Sequence, residues 1–230
     1  MSDEAKCPAH HGLDASKQDL ASLPDRMKSL RVDHRGFVVP WFVAFDETSG
    51  TWEFRAMDSR KLVRAVREKR CWVCGEQLGR YLVFVAGPMC GINRTSSEPP
   101  CHRECALWSV SNCPWMNNPD AERRVDDVIG YTDDRRIGAI QRNPGIAMLW
   151  TCRDYSIWKP QPNQVLITMG EPEKVEFFRC GKPATRAEVL ASIESGLPHL
   201  ATIARTENGG LAALEKSILR FNPFLPAEVT

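Results

Sequence analysis

Apolar residues fall in short runs between polar turns. The runs at 36–45 and 51–57 flank a hydrophilic segment that ends in Gly50, so they predict a β-hairpin. Pro40 removes a hydrogen-bond donor from the first run, so this strand should lie at a sheet edge or carry a bulge. Further strands are predicted at 81–86, 145–152, 164–170 and 174–180. The short segment between the last two predicts that they pair as antiparallel neighbours.

Helical patterns occupy four other segments of the chain. Residues 58–70 predict a helix with Asp58 as its N-cap, and 99–110 predict a second one that begins with prolines, which a first turn tolerates. Thr185 and Glu188 have capping-box spacing, so a helix should begin near 186. Residues 209–221 repeat apolar positions on one face and predict a last helix.

Strands and helices do not alternate strictly, which indicates the α+β class. We expect a β-hairpin and a helix leading into a metal-binding module, then a mostly antiparallel sheet and two C-terminal helices. The expected organisation is a flexible tail at 1–30, a metal-stabilised region at 31–116 and a polar connection at 117–144. Residues 145–230 would form strands and C-terminal helices that share one core with 31–116 or fold beside it.

The number and clustering of the cysteines indicate a metal site in this fold. The chain of 230 residues has nine cysteines, and six of them lie within 71–113. An odd, clustered set after an acidic and polar N-terminus favours reduced thiols and a metal over a secreted disulfide scaffold. No run approaches the ~20 apolar residues of a membrane span, so a cytoplasmic location is expected and a membrane partner is not. The oligomeric state stays open.

Two closely spaced pairs predict the metal ligands. Cys71 and Cys74 are separated by two residues and followed by glycine, and His102 and Cys105 have the same gap. Together they form a Cys3His set that suits tetrahedral zinc. Cys101 is the alternative to His102, because it also lies near Cys105 on the predicted helix.

Other arrangements of the cysteines stay open. Cys90, Cys101 and Cys113 could in principle supply a second site, but three cysteines with wide gaps are a weak pattern and buried thiols are the simpler interpretation. An iron–sulfur cluster would need four cysteines, whereas the histidine and the glycine favour zinc.

The pattern at 71–110 resembles a treble-clef zinc finger. That resemblance implies a knuckle, a β-hairpin that includes 81–86, and a helix carrying the second ligand pair in its first turn. The segments VPWFVAF, CWVCG, GPMC and EPPCH together resemble a family of bacterial and phage-type proteins. This second resemblance implies a prokaryotic or viral setting and no particular activity.

The ligand set favours a structural role for the metal. Catalytic zinc commonly keeps one position open, whereas four strong ligands close the site. Zinc deaminases combine His-x-Glu with Pro-Cys-x2-Cys, and here Pro100-Cys101 is followed by a gap of three residues before Cys105. His34 is a weak candidate for a general base, in an alternative where a nuclease or other hydrolase uses the treble clef as its scaffold.

Basic residues concentrate beside the knuckle. Residues 55–80 contain eight lysines and arginines against three acidic residues, although the whole chain has a net charge of only +1. A phosphate backbone could lie along Arg60, Arg64, Arg67 and Arg70. Bases could stack on Trp72, Trp108 and Trp115.

We therefore expect a non-enzymatic, zinc-stabilised protein that binds nucleic acid or a nucleic-acid-associated protein. A purely protein–protein interaction module is a further alternative. The competing interpretation is a solvated helix face beside tryptophans that pack around a small zinc core.

Overall fold

The structure is a computed structural model that describes residues 18–118, 143–160 and 165–228. Most of the expected tail and most of the expected polar connection lie outside these residues. The part of the tail that is described, 18–30, packs onto the body of the protein. Met27 is fully buried, and Arg26 forms ion pairs with Glu76 and Glu104. Two 3-10 turns, Leu20–Ser22 and Asp25–Met27, shape this segment.

The first elements are a hairpin and a helix, as the polar pattern predicts. Strands β1 (Val43–Asp46) and β2 (Thr51–Met57) pair in antiparallel fashion. Strand β1 begins three residues beyond Pro40, and its register with β2 shifts between Val43 and Ala44. Helix α1 (Ser59–Glu68) follows, and the Asp58 side chain accepts a hydrogen bond from the Arg60 amide at its start.

A four-stranded antiparallel sheet lies at the centre of the fold. Its order is β3 (Leu82–Ala86), β5 (Ala147–Cys152), β8 (Lys174–Arg179) and β9 (Lys182–Pro183). A three-stranded sheet has the order β4 (Thr95–Ser96), β7 (Leu166–Met169) and β6 (Tyr155–Trp158). The expected pairing of β7 with β8 is wrong. Both edges of β7 are taken by β4 and β6, and both edges of β8 by β5 and β9, so neither strand has an edge free for the other.

The helices complete an α+β fold, which confirms the predicted class. They are α2 (Pro88–Asn93), α3 (Arg103–Asn112), α4 (Arg186–Ala204) and α5 (Gly210–Phe221). The predicted capping box of Thr185 and Glu188 is present at the start of α4. In the described part of the chain, no helix is both long enough and apolar enough to cross a membrane.

Helix α2 is not predicted by the sequence pattern, because its six residues are too few to show a periodicity. Packing defines it instead. A side chain at Gly91 would meet the Phe221 ring at 2.5 Å, so only glycine lets α2 approach α5 this closely. Phe221 in turn lies against Trp150 of β5 and Phe177 of β8. One buried apolar cluster thus extends from Met27 to Leu225 across the described residues.

Candidate metal centre

Four side chains from two distant segments meet at one buried point. The ligand atoms of Cys71, Cys74, His102 and Cys105 all lie within 4.8 Å of one another. Each of these residues is buried. The chain therefore contains a Cys3His cluster that could hold a metal ion.

The first ligand pair lies on a tight knuckle. An antiparallel bridge joins Arg70 to Gln77, and the Cys71 amide donates to the Glu76 carbonyl at 2.7 Å. Gly75 turns the chain with φ +79°, and a Cβ at this position would lie 2.6 Å from the Trp41 ring. The knuckle thus needs glycine for its backbone conformation and for its packing.

The second pair lies at the start of α3. His102 is the N-cap residue and Cys105 follows in the first turn, so the two ligands lie on one side of the helix start. Backbone bonds hold this start against β3, because Val83 and Cys101 exchange hydrogen bonds of 3.0 and 2.8 Å. The Trp72 amide also donates to the Pro100 carbonyl at 3.1 Å, which joins the two ligand segments directly.

One feature differs from the expected treble clef. The strand between the knuckle and α3 does not form a local hairpin, because β3 pairs along its whole length with β5 and its one backbone bridge within 71–110 joins Val83 to Cys101. The segment after β3 forms α2 instead of a loop. The metal-binding segment is therefore built into the central sheet.

The distances suit a tetrahedral ion. Bonds to zinc of the usual lengths place a sulfur and a nitrogen ligand about 3.6 Å apart. Cys74 Sγ and His102 Nδ1 are 3.4 Å apart. The amides of Cys74 and His102 both point at Cys71 Sγ, each at 3.4 Å. Such N–H groups stabilise a thiolate, which is the form of cysteine that binds metals.

A hydrogen bond outside the cluster orients the histidine. His102 Nε2 lies 3.0 Å from the Gln77 carbonyl oxygen, which can only accept. The Nε2 atom therefore donates to this carbonyl, and Nδ1 faces the sulfurs, where its lone pair becomes available to a metal once the ring is neutral. This arrangement is typical of metal-binding histidines, whose second nitrogen is held by a neighbouring acceptor.

The electrostatics of the cluster centre on one negative sulfur. Burial opposes a charge on Cys71, but hydrogen bonds from Cys105, Cys74 and His102 outweigh it and lower the Cys71 pKa well below its usual value. The same contacts with Cys71 and Cys74 raise the pKa of Cys105, and they raise the pKa of His102 to about 10. In the metal-free cluster, protons on the neighbours thus compensate the thiolate. A dication would replace those protons.

The remaining cysteines of this segment lie apart from the cluster. The Cys101 side chain donates to the Val83 carbonyl at 3.2 Å, and burial raises its pKa well above the ordinary value. Cys90 lies on α2 and Cys113 caps the end of α3. Among the described residues, no further group of three or more metal-ligating side chains comes together, so these thiols form no second site there.

The four arginines of the basic segment divide into two kinds. The side chains of Arg60, Arg64 and Arg67 are 89, 51 and 72% exposed. Arg70 is turned inward, where it donates to the Gly75 carbonyl at 3.0 Å and pairs with Glu68 at 2.7 Å. Arg70 thus braces the knuckle, and three arginines remain on the open face of α1.

The other sequence candidates occupy ordinary structural positions. His34 is exposed in a turn that Asp33 holds by accepting bonds from the Arg35 and Phe37 amides. Trp72 and Trp108 are 3 and 7% exposed, so neither offers a ring face to a base. The interpretation of tryptophans packed around the metal segment describes these two correctly.

Comparison with known proteins does not extend these observations. No protein-family model matches the chain, and no curated protein or solved structure is significantly similar to it.

Proposed function

We propose that the Cys3His cluster holds a structural zinc ion and that the protein thus stabilised binds nucleic acid through α1. Three sulfurs and an imidazole whose ligand atoms lie within 4.8 Å of one another suit zinc, whereas an iron–sulfur cluster is ordinarily held by four cysteines. Four protein ligands leave no position for water or substrate, which supports a structural role. Neither the exposed His34 turn nor any other described geometry favours the hydrolase alternative.

The observation that carries the nucleic-acid proposal is the placement of Arg60, Arg64 and Arg67. Residues four and three positions apart share one face of a helix, so these three guanidinium groups line a single exposed stripe. Arg70 fixes the end of α1 to the knuckle, which gives the stripe a rigid base. A phosphate backbone is the partner that a row of exposed guanidinium groups fits best.

Two carboxylates accompany the stripe. Asp58 pairs with Arg60 at 3.2 Å, and Glu68 pairs with Arg64 at 3.1 Å and with Arg67 at 2.7 Å. The three guanidinium groups are each at least half exposed, so a phosphate can approach their open sides while the carboxylates keep their contacts. The stripe keeps an excess positive charge, since three arginines face two carboxylates.

Fluorescence anisotropy of a labelled oligonucleotide in rising salt tests this proposal. The Arg60→Ala, Arg64→Ala, Arg67→Ala triple variant should bind at least about tenfold more weakly. Its plot of log affinity against log salt should also be shallower by up to about 2.7, the contribution of three phosphate contacts.

The matched control removes three positive charges elsewhere. Arg205, Lys216 and Arg220 are exposed residues of the C-terminal helices or their ends, and their triple alanine variant should retain the wild-type salt dependence. If the two triple variants lose affinity equally, the effect depends on the net charge of the protein and not on the α1 stripe. No wild-type binding at low salt would overturn the proposal.

A further inference from the structure

A cleft of about 420 Å³ opens beside the metal centre. The start of α3 lines one side of it, and the ends of β3, β5 and β8 line the other. Its volume lies in the range of small-molecule sites, roughly 300–1,000 Å³. The cleft is lined by none of the α1 arginines, so it is separate from the stripe proposed to bind nucleic acid.

The floor of the cleft contains a buried hydroxyl without a partner. Val83, Thr151 and Lys174 are paired across the three strands, so their side chains form one row on the same face of the sheet. Thr151 is only 8% exposed, and its Oγ1 has no hydrogen-bond partner among the described residues. Native proteins rarely leave a buried polar atom unsatisfied. Because the Thr151 side chain lines the cleft, rotation about χ1 would present the hydroxyl to a ligand there.

Positive charge surrounds this hydroxyl. Lys174 and Arg103 both pair with Glu176, at 2.9 Å for Lys174 Nζ and 2.9 Å for Arg103 Nη2. Arg80 also lines the cleft and forms no ion pair within the described part of the chain. Glu176 is thus shared by two of these three cations, and Arg80 has no carboxylate partner among the described residues.

The charged side chains that line the cleft are mostly cationic. They are Arg26, Arg80, Arg103 and Lys174, against the single carboxylate of Glu104. Arg26 is already held at 2.8 Å from each of the carboxylates of Glu76 and Glu104. An anion would therefore be attracted to the end of the cleft with Thr151 and Lys174.

We propose that this end of the cleft binds the phosphate group of a phosphate monoester. Its donors are a hydroxyl, an ammonium and guanidinium groups from separate elements, and a tetrahedral phosphate can accept from several directions at once. A carboxylate has only two oxygens in one plane. The remaining volume leaves room for the group that carries the phosphate, beside the half-exposed ring of Tyr81.

Calorimetric titration of the full-length, metal-loaded protein with inorganic phosphate and with a nucleoside monophosphate tests the proposal. Thr151→Val keeps the shape of the side chain and removes the hydroxyl, and Arg80→Gln removes the unpaired cation. Each should weaken binding by about tenfold, as expected for a lost hydrogen bond to a charged group. Lys216→Gln, on the exposed side of α5, is the matched control and should bind as the wild type does.

Oligonucleotides with and without a 5′-phosphate separate the two sources of a monoester. Preference for the phosphorylated end identifies a nucleic-acid terminus, and tight binding of the free mononucleotide identifies a small ligand. Absence of saturable binding of every phosphate probe overturns the proposal, as does wild-type affinity in both variants.

Two further comparisons keep the test unambiguous. If Thr151→Val does not fold, the surface variant Arg80→Gln decides the result. A chain that binds phosphate monoesters but shows no α1-dependent oligonucleotide affinity supports the cleft and overturns only the proposed function.

Discussion

The knuckle region and the sheet region are held together in different ways. Around the knuckle, residues 71–74 and 102–105 supply four ligands and few large aliphatic side chains. In the sheet region, Trp150, Phe177 and Phe221 form a contiguous aromatic core. A short irregular segment buries little apolar surface of its own, so a metal held by the four side chains would act there as a crosslink.

Strand β3 joins the two regions. Val83 exchanges backbone hydrogen bonds with Cys101 at the metal centre and is the register partner of Thr151 in the sheet. A disturbance of the metal should therefore reach the edge of the sheet, whereas a disturbance of the aromatic core should leave the ligands in place. The following variants test that asymmetry.

Removal of a ligand should have the largest effect. Cys105→Ala leaves three ligands and a buried gap, so we expect loss of the metal and of a large share of the ~5–15 kcal/mol that stabilises an ordinary domain. Elemental analysis and hydrogen exchange of the β3 amides would measure both effects. Chelation of the wild type should reproduce them.

Cys101→Ala is the matched control for this ligand. Its thiol bonds to the Val83 carbonyl and not to the cluster, so the variant should keep one equivalent of metal. If Cys101→Ala loses the metal and Cys105→Ala retains it, the assignment of ligands fails.

Truncation in the aromatic core should come next. Phe221 is 2% exposed and stacks on Trp150, so Phe221→Ala should destabilise the protein by about 3–5 kcal/mol. One equivalent of metal should remain bound under native conditions. Phe45→Ala, at a ring that is 48% exposed, is the control and should change stability little. Metal loss in folded Phe221→Ala would show that the two regions are not separable.

A smaller effect is expected at the turn of the knuckle. Gly75→Ala places a side chain at φ +79° and against the Trp41 ring, so the strain should be about 1–2 kcal/mol with an added steric cost. Metal transfer to a chelator should become faster while the sheet keeps its stability. Gly79→Ala, whose Cβ would meet nothing within 4 Å, should transfer metal at the wild-type rate.

Local signals in the sequence predicted much of this architecture. The Asp58 cap, the Thr185 capping box and the β1–β2 hairpin depend on neighbouring residues, and all three are present. Paired spacing likewise singled out the four residues that the structure brings together. These features could be predicted from the sequence because each has a short-range physical cause.

Features that depend on long-range contacts were not predictable. The sequence gives no local sign that β7 and β8 belong to different sheets, since strand edges are occupied by segments far away in the chain. Helix α2 depends on Gly91 fitting against Phe221, and the burial of Trp72 depends on its stacking with Phe42. The cleft beside the cluster is likewise assembled from distant elements that carry no shared motif.

The last expected effect concerns pH and lies wholly in the sheet region. Burial raises the pKa of the Cys152 thiol from 9.0 to about 11, because the folded protein favours the neutral form. A raised pKa in the folded state means that the thiol contributes stability fully below pH 9.0 and loses that contribution as the pH rises towards about 11. The wild type should therefore lose stability over this interval relative to Cys152→Ala. Denaturant unfolding of both proteins between pH 8 and pH 11 would measure the difference, since each curve contains the same titrations of lysine and tyrosine. Thiolates that bind a metal are already deprotonated, so the metal content should stay constant while the two stability curves converge. Parallel curves would mean that Cys152 ionises equally in the folded and unfolded chains, and that the sheet region admits solvent where the structure has a closed core.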